Sequence, residues 1–442
     1  MKKTKLAGAI ALLGAIFAIG CSSGPSWKQP SGSAAGVPER ALPFAQYAAQ
    51  NHTNIARLMQ EQRFAKAQQP PFIGQEYTSG ERVAQLRAPF ERSPQAGCDT
   101  QGVGSEKAFL LVHGLTDSPY LLKSVADTLQ QAYPCSRSRA VLLPGHGTLV
   151  GDSRNMRYQD WLSITDYGLN SLQRRDDVKE IYLVGFSTGT ALSIRQLVEK
   201  SSAKVEGVVM LSTAVEAASD MAWAAAYLRW FKSWLSDIDE NDAARYSSFA
   251  TNAGAEFYAL TKNLTSAKYT LKVPVLMAVS SDDQTINAAS ARRFFCNNTP
   301  NKQGKLIWYQ GEKNADQPSC EGIETVATKA QQYQLGDMRY TYASVSHTGV
   351  SMDPRDAHYG VTGAYRDCKS YAEADDSASL AGCLDRQNPV LFGEKNNKGL
   401  AEGLGLKYFS RATFNPYYPQ LAENIVCFVD KACDVSKVSA GL

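Results

Sequence analysis

The sequence has few histidines and lacks the cysteine pairs that usually hold zinc. The 442-residue chain has five histidines and nine cysteines, and no two cysteines form a C-x-x-C pair. Such pairs, combined with closely spaced histidines, are the common ligand pattern of structural zinc. The sequence therefore predicts no metal site, and nothing in it calls for an organic cofactor. The histidines are His52, His113, His146, His347 and His358.

Blocks of like charge and internal repeats are absent as well. Lys and Arg total 46 against 43 Asp and Glu, and the basic residues form no stripe. Nucleic-acid-binding proteins concentrate positive charge on one face, so nucleic acid is not an expected partner. The chain is 44% hydrophobic and 20% charged. This is an ordinary globular composition, and the length permits either several domains or one α/β domain with long insertions.

The apolar run at the N-terminus, residues 6–20, is too short to cross a bilayer as a helix. It follows a lysine-rich start and ends in AIGC at Cys21, which is typical of a secretory signal. The end resembles the lipobox of bacterial lipoproteins, in which the cysteine becomes the lipid-modified N-terminus, although Ala18 stands where leucine is commoner. We expect a signal peptide over 1–20 and lipidation of Cys21. An ordinary signal peptide cleaved nearby is the alternative.

The same resemblance predicts where the protein resides. Ser22 after the cysteine favours the outer membrane, with the protein exported, lipid-anchored and facing the periplasm. Residues 21–40 are rich in Ser, Gly and Pro and predict a flexible tether. Losing the three signal-peptide lysines takes the formal charge from +3 to about 0. Residues 41–106 are a polar approach segment, and 107–442 are the expected main domain.

Eight cysteines remain once Cys21 is set aside. An even number in an exported chain predicts disulfides. Their spacing suggests that sequential neighbours pair, so that each bond but the first closes a short local loop. The predicted pairs are Cys98–Cys135, Cys296–Cys320, Cys368–Cys383 and Cys427–Cys433.

Strand and helix signals alternate from Lys107 onward, as in a β-α-β protein. The last strand of the sheet is predicted at 339–345, with 305–309 as the competing candidate. Three stretches break the rhythm and are interpreted as an inserted helical cap, at about 214–272, and two further insertions, at about 300–338 and 353–415. The remaining predicted strands are 108–112, 139–143, 180–184, 205–211 and 273–280, and the helices are 119–133, 157–174, 190–200, 287–296 and 421–429.

The most informative motif is Gly185-Phe186-Ser187-Thr188-Gly189, between an apolar strand and a helical stretch. A serine at such a sharp turn is pushed out of the sheet, and the glycines avoid collisions with the neighbouring strand and helix. The motif resembles the nucleophile elbow of the α/β-hydrolases. This resemblance implies an α/β-hydrolase fold, with a mostly parallel central sheet flanked by helices. It also implies Ser187 as the nucleophile of a triad that runs Ser, acid, His along the chain.

The acid and the base follow from that chain order. The strand 273–280 leads into Asp282 and Asp283, and the family's usual spacing to an aliphatic residue favours Asp283, with a helix cap as its alternative role. Only His347 and His358 come later in the chain. His347 follows a strand-like run, where the family places its histidine, whereas His358 lies in a polar loop, so His347 is the predicted base.

A third motif completes the resemblance. Residues 110–116, LLVHGLT, run from a strand into His-Gly-x, which resembles the family's first oxyanion element. The resemblance implies that the backbone amides of Leu115 and Thr188 bind the oxyanion. The sequence PGHG at 144–147, with Trp161, resembles the carboxylesterase and monoacylglycerol-lipase-like branch. We interpret His113 and His146 as structural.

Within the predicted cap, five aromatic residues recur at helical spacing. A helix would present them on one face. They would line a pocket or cover the site as a lid, or they would pack the cap onto the main domain; the pattern favours packing slightly and leaves both open. As predicted substrate-binding residues they are Trp223, Tyr227, Trp230, Phe231 and Trp234.

The resemblance implies a serine hydrolase that cleaves carboxylic acyl esters through an acyl-enzyme, with a small-molecule or lipid ester as substrate. A fold does not fix its reaction, so a peptidase, a thioesterase or a polymer depolymerase is an alternative. The sequence is also compatible with a non-catalytic anchored binding protein, or with a structural envelope lipoprotein whose insertions bind a partner.

Overall fold

The computed structural model describes residues 26–61, 79–98, 106–200, 203–266, 268–300, 303–312 and 319–432. The predicted signal peptide, Cys21 and Cys433 lie outside these ranges. Within them, no helix combines the length and the apolar character needed to cross a membrane.

An eight-stranded, mostly parallel sheet forms the centre of the protein. Its strand order is β1-β3-β2-β4-β5-β8-β9-β10, and only β1 runs antiparallel to its neighbour. Helical connections between parallel strands produce this order. The strands are β1 Phe90–Arg92, β2 Lys107–Val112, β3 Arg137–Val141, β4 Glu180–Phe186, β5 Val205–Leu211, β8 Val275–Ser280, β9 Gly304–Gln310 and β10 Ile323–Ala327.

Helices cover both faces of this sheet, because the central strands are apolar on both sides. In β2, Phe109 and Leu111 belong to one core, whereas Leu110 and Val112 belong to the core on the opposite face, as the two-residue period of a strand requires. Helices α3 and α12 pack into the first core, and α4, α5 and α8 into the second. The helices are α1 Phe44–Met59, α2 Gly80–Arg87, α3 Lys123–Ala132, α4 Tyr158–Gln173, α5 Thr188–Glu199, α6 Ala225–Leu228, α7 Thr251–Thr261, α8 Ala288–Asn298, α9 Lys369–Ala372, α10 Ser377–Leu384, α11 Leu400–Gly403 and α12 Tyr418–Val429.

The prediction that residues 339–345 form the last strand of the central sheet was wrong. Gly304–Gln310, the competing candidate, pairs in parallel with β8 in the main sheet, and β10 extends the sheet beyond it. The predicted insertion 300–338 therefore supplies two strands of the central sheet. The favoured candidate corresponds to β12, which joins a different sheet.

A second, four-stranded sheet collects the remaining C-terminal strands. Its order is β11-β12-β13-β14, with β11 antiparallel and the others parallel. Two of its strands come from the predicted insertion 353–415, so this stretch is part of a folded unit rather than a loop. The strands are β11 Gln331–Leu335, β12 Met338–Tyr342, β13 Val390–Gly393 and β14 Tyr408–Arg411.

The N-terminal boundaries also differ from the prediction. The approach segment 41–106 contributes α1, α2 and β1, and β1 pairs with β3 in the central sheet. Residues 26–40, predicted as part of a flexible tether, pack on the domain. The backbone amide and hydroxyl of Ser31 donate to the buried carboxylate of Asp152 at 2.6 and 2.7 Å. Such bonds to a buried charge fix the segment in place.

Three of the four predicted disulfides are confirmed: Cys98–Cys135, Cys296–Cys320 and Cys368–Cys383. Cys427 is disulfide-bonded as well, and its predicted partner, Cys433, lies outside the described residues.

The aromatic stretch of the cap is not one helix. A 3-10 turn at Ala222–Ala224 leads into α6, which ends at Leu228, and Trp234 begins strand β6 (Trp234–Ser236), which pairs with β7 (Phe249–Ala250). The five aromatic residues therefore share no single helix face. Four of them are exposed rather than packed against the main domain, which corrects the packing interpretation; they are Trp223 (48%), Tyr227 (68%), Trp230 (75%) and Phe231 (90%).

Candidate active site

Ser187 lies at the turn between β4 and α5, with a positive φ of 50° and ψ of −120°. A non-glycine residue in this backbone conformation is strained, and such strain is typical of functional sites. The turn is possible because both flanking glycines lack a Cβ. One added at Gly185 would lie 2.7 Å from the Gly189 carbonyl, and one at Gly189 would lie 1.9 Å from the Val112 oxygen.

The structure brings Ser187, His347 and Asp283 together from three separate parts of the chain. The Nε2 atom of His347 lies 2.9 Å from Ser187 Oγ, and its Nδ1 atom lies 2.6 Å from Asp283 Oδ2. All three residues are buried, with Ser187 6% exposed. The serine hydroxyl, the imidazole and the carboxylate thus form one continuous hydrogen-bonded chain.

The second oxygen of Asp283 is occupied by the backbone. Oδ1 accepts hydrogen bonds from the amides of Thr285 at 2.8 Å and Ile286 at 3.0 Å. These bonds fix the rotation of the carboxylate so that Oδ2 faces the imidazole. Asp282 instead lies against Gly311, where an added Cβ would come within 2.3 Å of either carboxylate oxygen.

The loop that carries His347 is held by the second sheet. The His347 amide donates to Glu394 Oε2 at 3.0 Å, and Glu394, at the end of β13, also pairs with Arg411 of β14. On the other side, Ser212 Oγ donates to the His347 carbonyl at 2.7 Å. No sequence motif marks Glu394, Arg411 or Ser212, because these residues act through contacts between distant segments of the chain.

His358, the alternative base, lies elsewhere. Its Nε2 atom is 2.9 Å from Asp242 Oδ1, and the residue is 1% exposed. The Tyr359 hydroxyl donates to the other oxygen of the same carboxylate at 2.9 Å. His358 is therefore one member of a buried polar cluster that holds the loop around residue 242.

The predicted oxyanion loop lies directly against the nucleophile. A Cβ added at Gly114 would be 2.9 Å from Ser187 Cβ. In the part of the chain that the structure describes, the amides of Leu115 and Thr188 donate no hydrogen bond to another protein group. Thr188 is the first residue of α5, where the backbone amides of a helix are unpaired and the helix dipole favours negative charge.

Two buried histidines hold this loop in shape. His113 Nδ1 lies 2.8 Å from the Gly114 oxygen, and its Nε2 accepts from the Leu143 amide. His146 Nε2 accepts from the Thr116 amide at 3.1 Å. Burial lowers the pKa of His113 well below its usual range and that of His146 to about 4. Both rings are therefore neutral at pH 7 and serve as fixed hydrogen-bond partners.

Three of the six non-glycine residues with positive φ in the described chain lie at this end of the sheet. Thr116, Ser187 and Ser212 follow β2, β4 and β5, which are neighbours in the sheet, and have φ values of 66°, 50° and 49°. Ligands of α/β folds bind at the carboxyl ends of parallel strands. The site therefore lies where three strained residues and several loops converge.

One family model matches this part of the chain. Residues 109–299 match a model described as the alpha/beta hydrolase family. The fold is accordingly an α/β-hydrolase fold, and the match supports a hydrolase. No curated protein matches the chain.

Several solved structures are similar over about half of the chain. One, from the metagenome-derived lipolytic enzymes LipS and LipT, is 18% identical and covers 50% of this chain and 87% of its own, with a TM-score of 0.43. A soluble variant of monoglyceride lipase from Saccharomyces cerevisiae is 11% identical, covering 51% and 82%, with a TM-score of 0.40. The monoacylglycerol lipase of Paleococcus ferrophilus is 18% identical, covering 50% and 88%, with a TM-score of 0.40.

Proposed function

We propose that this α/β-hydrolase is a serine esterase of the lipase type, which cleaves carboxylic acyl esters through an acyl-enzyme. The observation that carries the proposal is the hydrogen-bonded chain from Ser187 Oγ through His347 to Asp283, at 2.9 and 2.6 Å. A serine hydroxyl becomes an effective nucleophile when a base within hydrogen-bond reach is itself oriented by a third group.

In the proposed mechanism Ser187 attacks the ester carbonyl while His347 Nε2 takes its proton. Asp283 keeps the Nδ1 proton in place and stabilises the imidazolium that forms. His347 then gives the proton to the leaving alcohol. Water hydrolyses the acyl-enzyme by the same route, with His347 acting as base a second time.

The amides of Leu115 and Thr188 supply the oxyanion site in this proposal. Thr188 directly follows Ser187, Leu115 directly follows Gly114, which lies against Ser187, and both amides have a donor that the described protein leaves unused. Donors fixed before the reaction stabilise the charge that develops on the carbonyl oxygen, and the loss of one typically costs about 10²–10³-fold in kcat.

The first test is hydrolysis of p-nitrophenyl esters of graded acyl length, by the protein and by Ser187→Ala. We expect turnover by the wild type, and in the variant a loss of about 10⁶-fold to near background, with the fold intact by circular dichroism. Wild-type activity in Ser187→Ala would refute the assignment. A folded protein whose Ser187 is labelled by a phosphonate, but which hydrolyses no ester, would favour an amide, thioester or polymer substrate.

The acid is tested by a matched pair of neighbouring residues. Asp283→Asn should lower kcat by about 10⁴-fold, because an amide facing Nδ1 selects the wrong tautomer of His347. Asp282→Asn, one residue away and equally buried, should retain most of the activity. The measurement is kcat on the best ester of the series, and the reverse order of effects would assign the acid to Asp282.

We also propose that the protein is exported and lipid-anchored at Cys21, facing the periplasm from the outer membrane. The support is the N-terminal sequence, a lysine-rich start followed by an apolar run that ends at AIGC. Metabolic labelling with a palmitate analogue tests this, and Cys21→Ala should lose the label.

A further inference from the structure

We propose that an exposed aromatic patch docks the protein onto the same bilayer that holds its N-terminal anchor. The patch comprises Met221, Trp223, Tyr227, Leu228, Trp230 and Phe231. The proposal rests on the anchor at Cys21 proposed above, and it deepens the proposed function by placing the esterase site at a lipid surface.

The patch is exposed to an unusual degree. Seven of the eleven exposed large hydrophobic side chains in the described ranges lie between residues 221 and 235, including all four aromatic ones. Phe231 is 90% exposed and Trp230 is 75% exposed. Single exposed apolar side chains are common, but a contiguous group of this kind marks an interaction surface.

The base of the patch is fixed to the domain, so its exposure is a property of the fold. Ala225 is buried between the exposed residues, on the side that faces α7. Arg229 Nη1 pairs with Glu256 Oε1 of α7 at 2.8 Å, and Glu256 Oε2 accepts from the Tyr158 amide. The small and charged residues thus hold the segment down while its aromatic residues point outward.

The position at which the N-terminal segment joins the domain indicates that the patch contacts a bilayer. Lys28, near the start of the described chain, forms an ion pair with Asp237, which directly follows β6 of the cap segment. Cys21 precedes Lys28 by seven residues, and seven residues span at most about 25 Å. A domain of this length has a radius of gyration of about 22 Å. An anchor at Cys21 therefore keeps the face around Lys28, and the cap beside it, close to the bilayer.

The chemistry of the patch suits a lipid interface. Trp and Tyr combine an apolar ring with a polar group and favour the boundary between headgroups and acyl chains. Between residues 221 and 235 the charged residues are Arg229 and Lys232, and both are cationic. The patch therefore combines interfacial aromatic residues with cationic charge, which suits the surface of a bilayer.

The segment also connects the patch to the candidate active site. Before the patch in the chain, Ala217 forms a β-bridge with Ile286, three residues after Asp283. After the patch, the Tyr246 amide donates to the Thr116 carbonyl, next to Leu115 of the oxyanion loop, at 2.7 Å. The segment that carries the patch therefore starts and ends beside the candidate active site.

The test measures tryptophan quenching by brominated lipid. The full chain, purified with its own anchor, is reconstituted into phosphatidylcholine vesicles with or without bromine on the acyl chains. We expect bromine to quench the wild type, and the quenching to fall to the level of the unbrominated control in the double variant Trp223→Phe, Trp230→Phe. The matched control, Trp308→Phe, removes a tryptophan that is 1% exposed and should leave the bromine-dependent decrease intact.

Each remaining outcome overturns the proposal. Wild-type emission that is insensitive to bromine would mean that the patch does not reach the acyl chains, and quenching that survives the double variant would place the contact elsewhere. A blue shift that depends on protein concentration, without quenching, would indicate a second copy of the chain as the occupant. Quenching requires no turnover, so this result is independent of whether the esterase proposal holds.

Discussion

Asp117 is a buried acidic residue near the candidate site. It is 4% exposed, and in the described part of the chain its Oδ1 atom accepts no hydrogen bond. Its other oxygen lies 2.4 Å from where a Cβ on Gly114 would be, so the residue adjoins the oxyanion loop. Burial raises the pKa of Asp117 to about 6, although Arg245 and His347 partly oppose the shift.

Asp117→Asn should therefore stabilise the fold at neutral pH. The folded pKa lies above the unfolded value of 3.8, so ionisation at Asp117 lowers stability as the pH rises from about 4 to about 6 and keeps it lowered above that. The shift corresponds to at most about 3 kcal/mol. We expect a higher unfolding free energy for the variant at pH 7 and none of this gain below about pH 4, measured by urea unfolding. The exposed Asp220→Asn is the control, and a gain that does not vary with pH would contradict this account.

At this scale the sequence predicted the residues that carry motifs. Ser187 has its glycine-flanked turn, and only two histidines follow Asp283 in the chain, so a short list of candidates remained. Asp117, Ser212 and Glu394 have no such pattern. Ser212 and Glu394 act by contacting His347, which is far away in the sequence, and Asp117 interacts electrostatically with Arg245 and His347. Such long-range interactions are set by the fold rather than by local composition.

At the scale of elements, β9 and β12 show why one strand was assigned to the wrong sheet. Both are short runs with aromatic and β-branched residues, as strands require. Their partners differ: β9 pairs with β8, whereas β12 pairs with β11 and β13. Pattern alone identifies a strand, but its neighbours depend on connections that span dozens of residues.

The second sheet supports His347, and this gives the predicted insertion 353–415 a role in catalysis under the proposed function. Glu394→Gln should lower kcat on the order of 10²-fold with little change in KM, because a small displacement of the base removes the aligned geometry. Kinetics on the best p-nitrophenyl ester measure this, with the exposed Glu402→Gln of α11 as the control.

The same variant leaves Arg411 buried without its charged partner, so the free energy of unfolding should fall as well, by about 3 kcal/mol. Wild-type kcat combined with lowered stability would show that the Glu394–Arg411 pair only supports the fold and does not position His347.

At the scale of the whole molecule, the alternation of strands and helices predicted the central sheet and five of its eight strands. The cap and the boundaries at both ends were less predictable. The aromatic spacing at 223–234 fits a helix, but the segment turns at Leu228 and again before Trp234. The composition of 21–40 is that of a tether, but within residues 26–40 Ser31 binds the buried carboxylate of Asp152.

Residues 26–40 are bound to the domain, so only residues 22–25 are left as the predicted tether after Cys21. Because residues 26–40 contribute contacts, a chain that begins at residue 41 should be less stable than one that begins at residue 26. The shorter chain loses both hydrogen bonds that Ser31 donates to Asp152, a residue that is 2% exposed. Asp152 would keep the hydrogen bond from the Thr148 hydroxyl. The shorter chain also loses the contact of Ala35 with the core.

Because a buried carboxylate then lacks two of its hydrogen-bond donors, we expect the free energy of unfolding to fall by about 3 kcal/mol. The measurement is chemical denaturation of both forms, with Ser31→Ala in the longer chain as the matched variant. That variant removes the hydroxyl donor alone and should show a smaller loss. Equal unfolding free energies for the two truncations would mean that residues 26–40 contribute nothing to the fold. The face next to Lys28 would then be free to move away from the bilayer, because the tether from Cys21 would extend to residue 40.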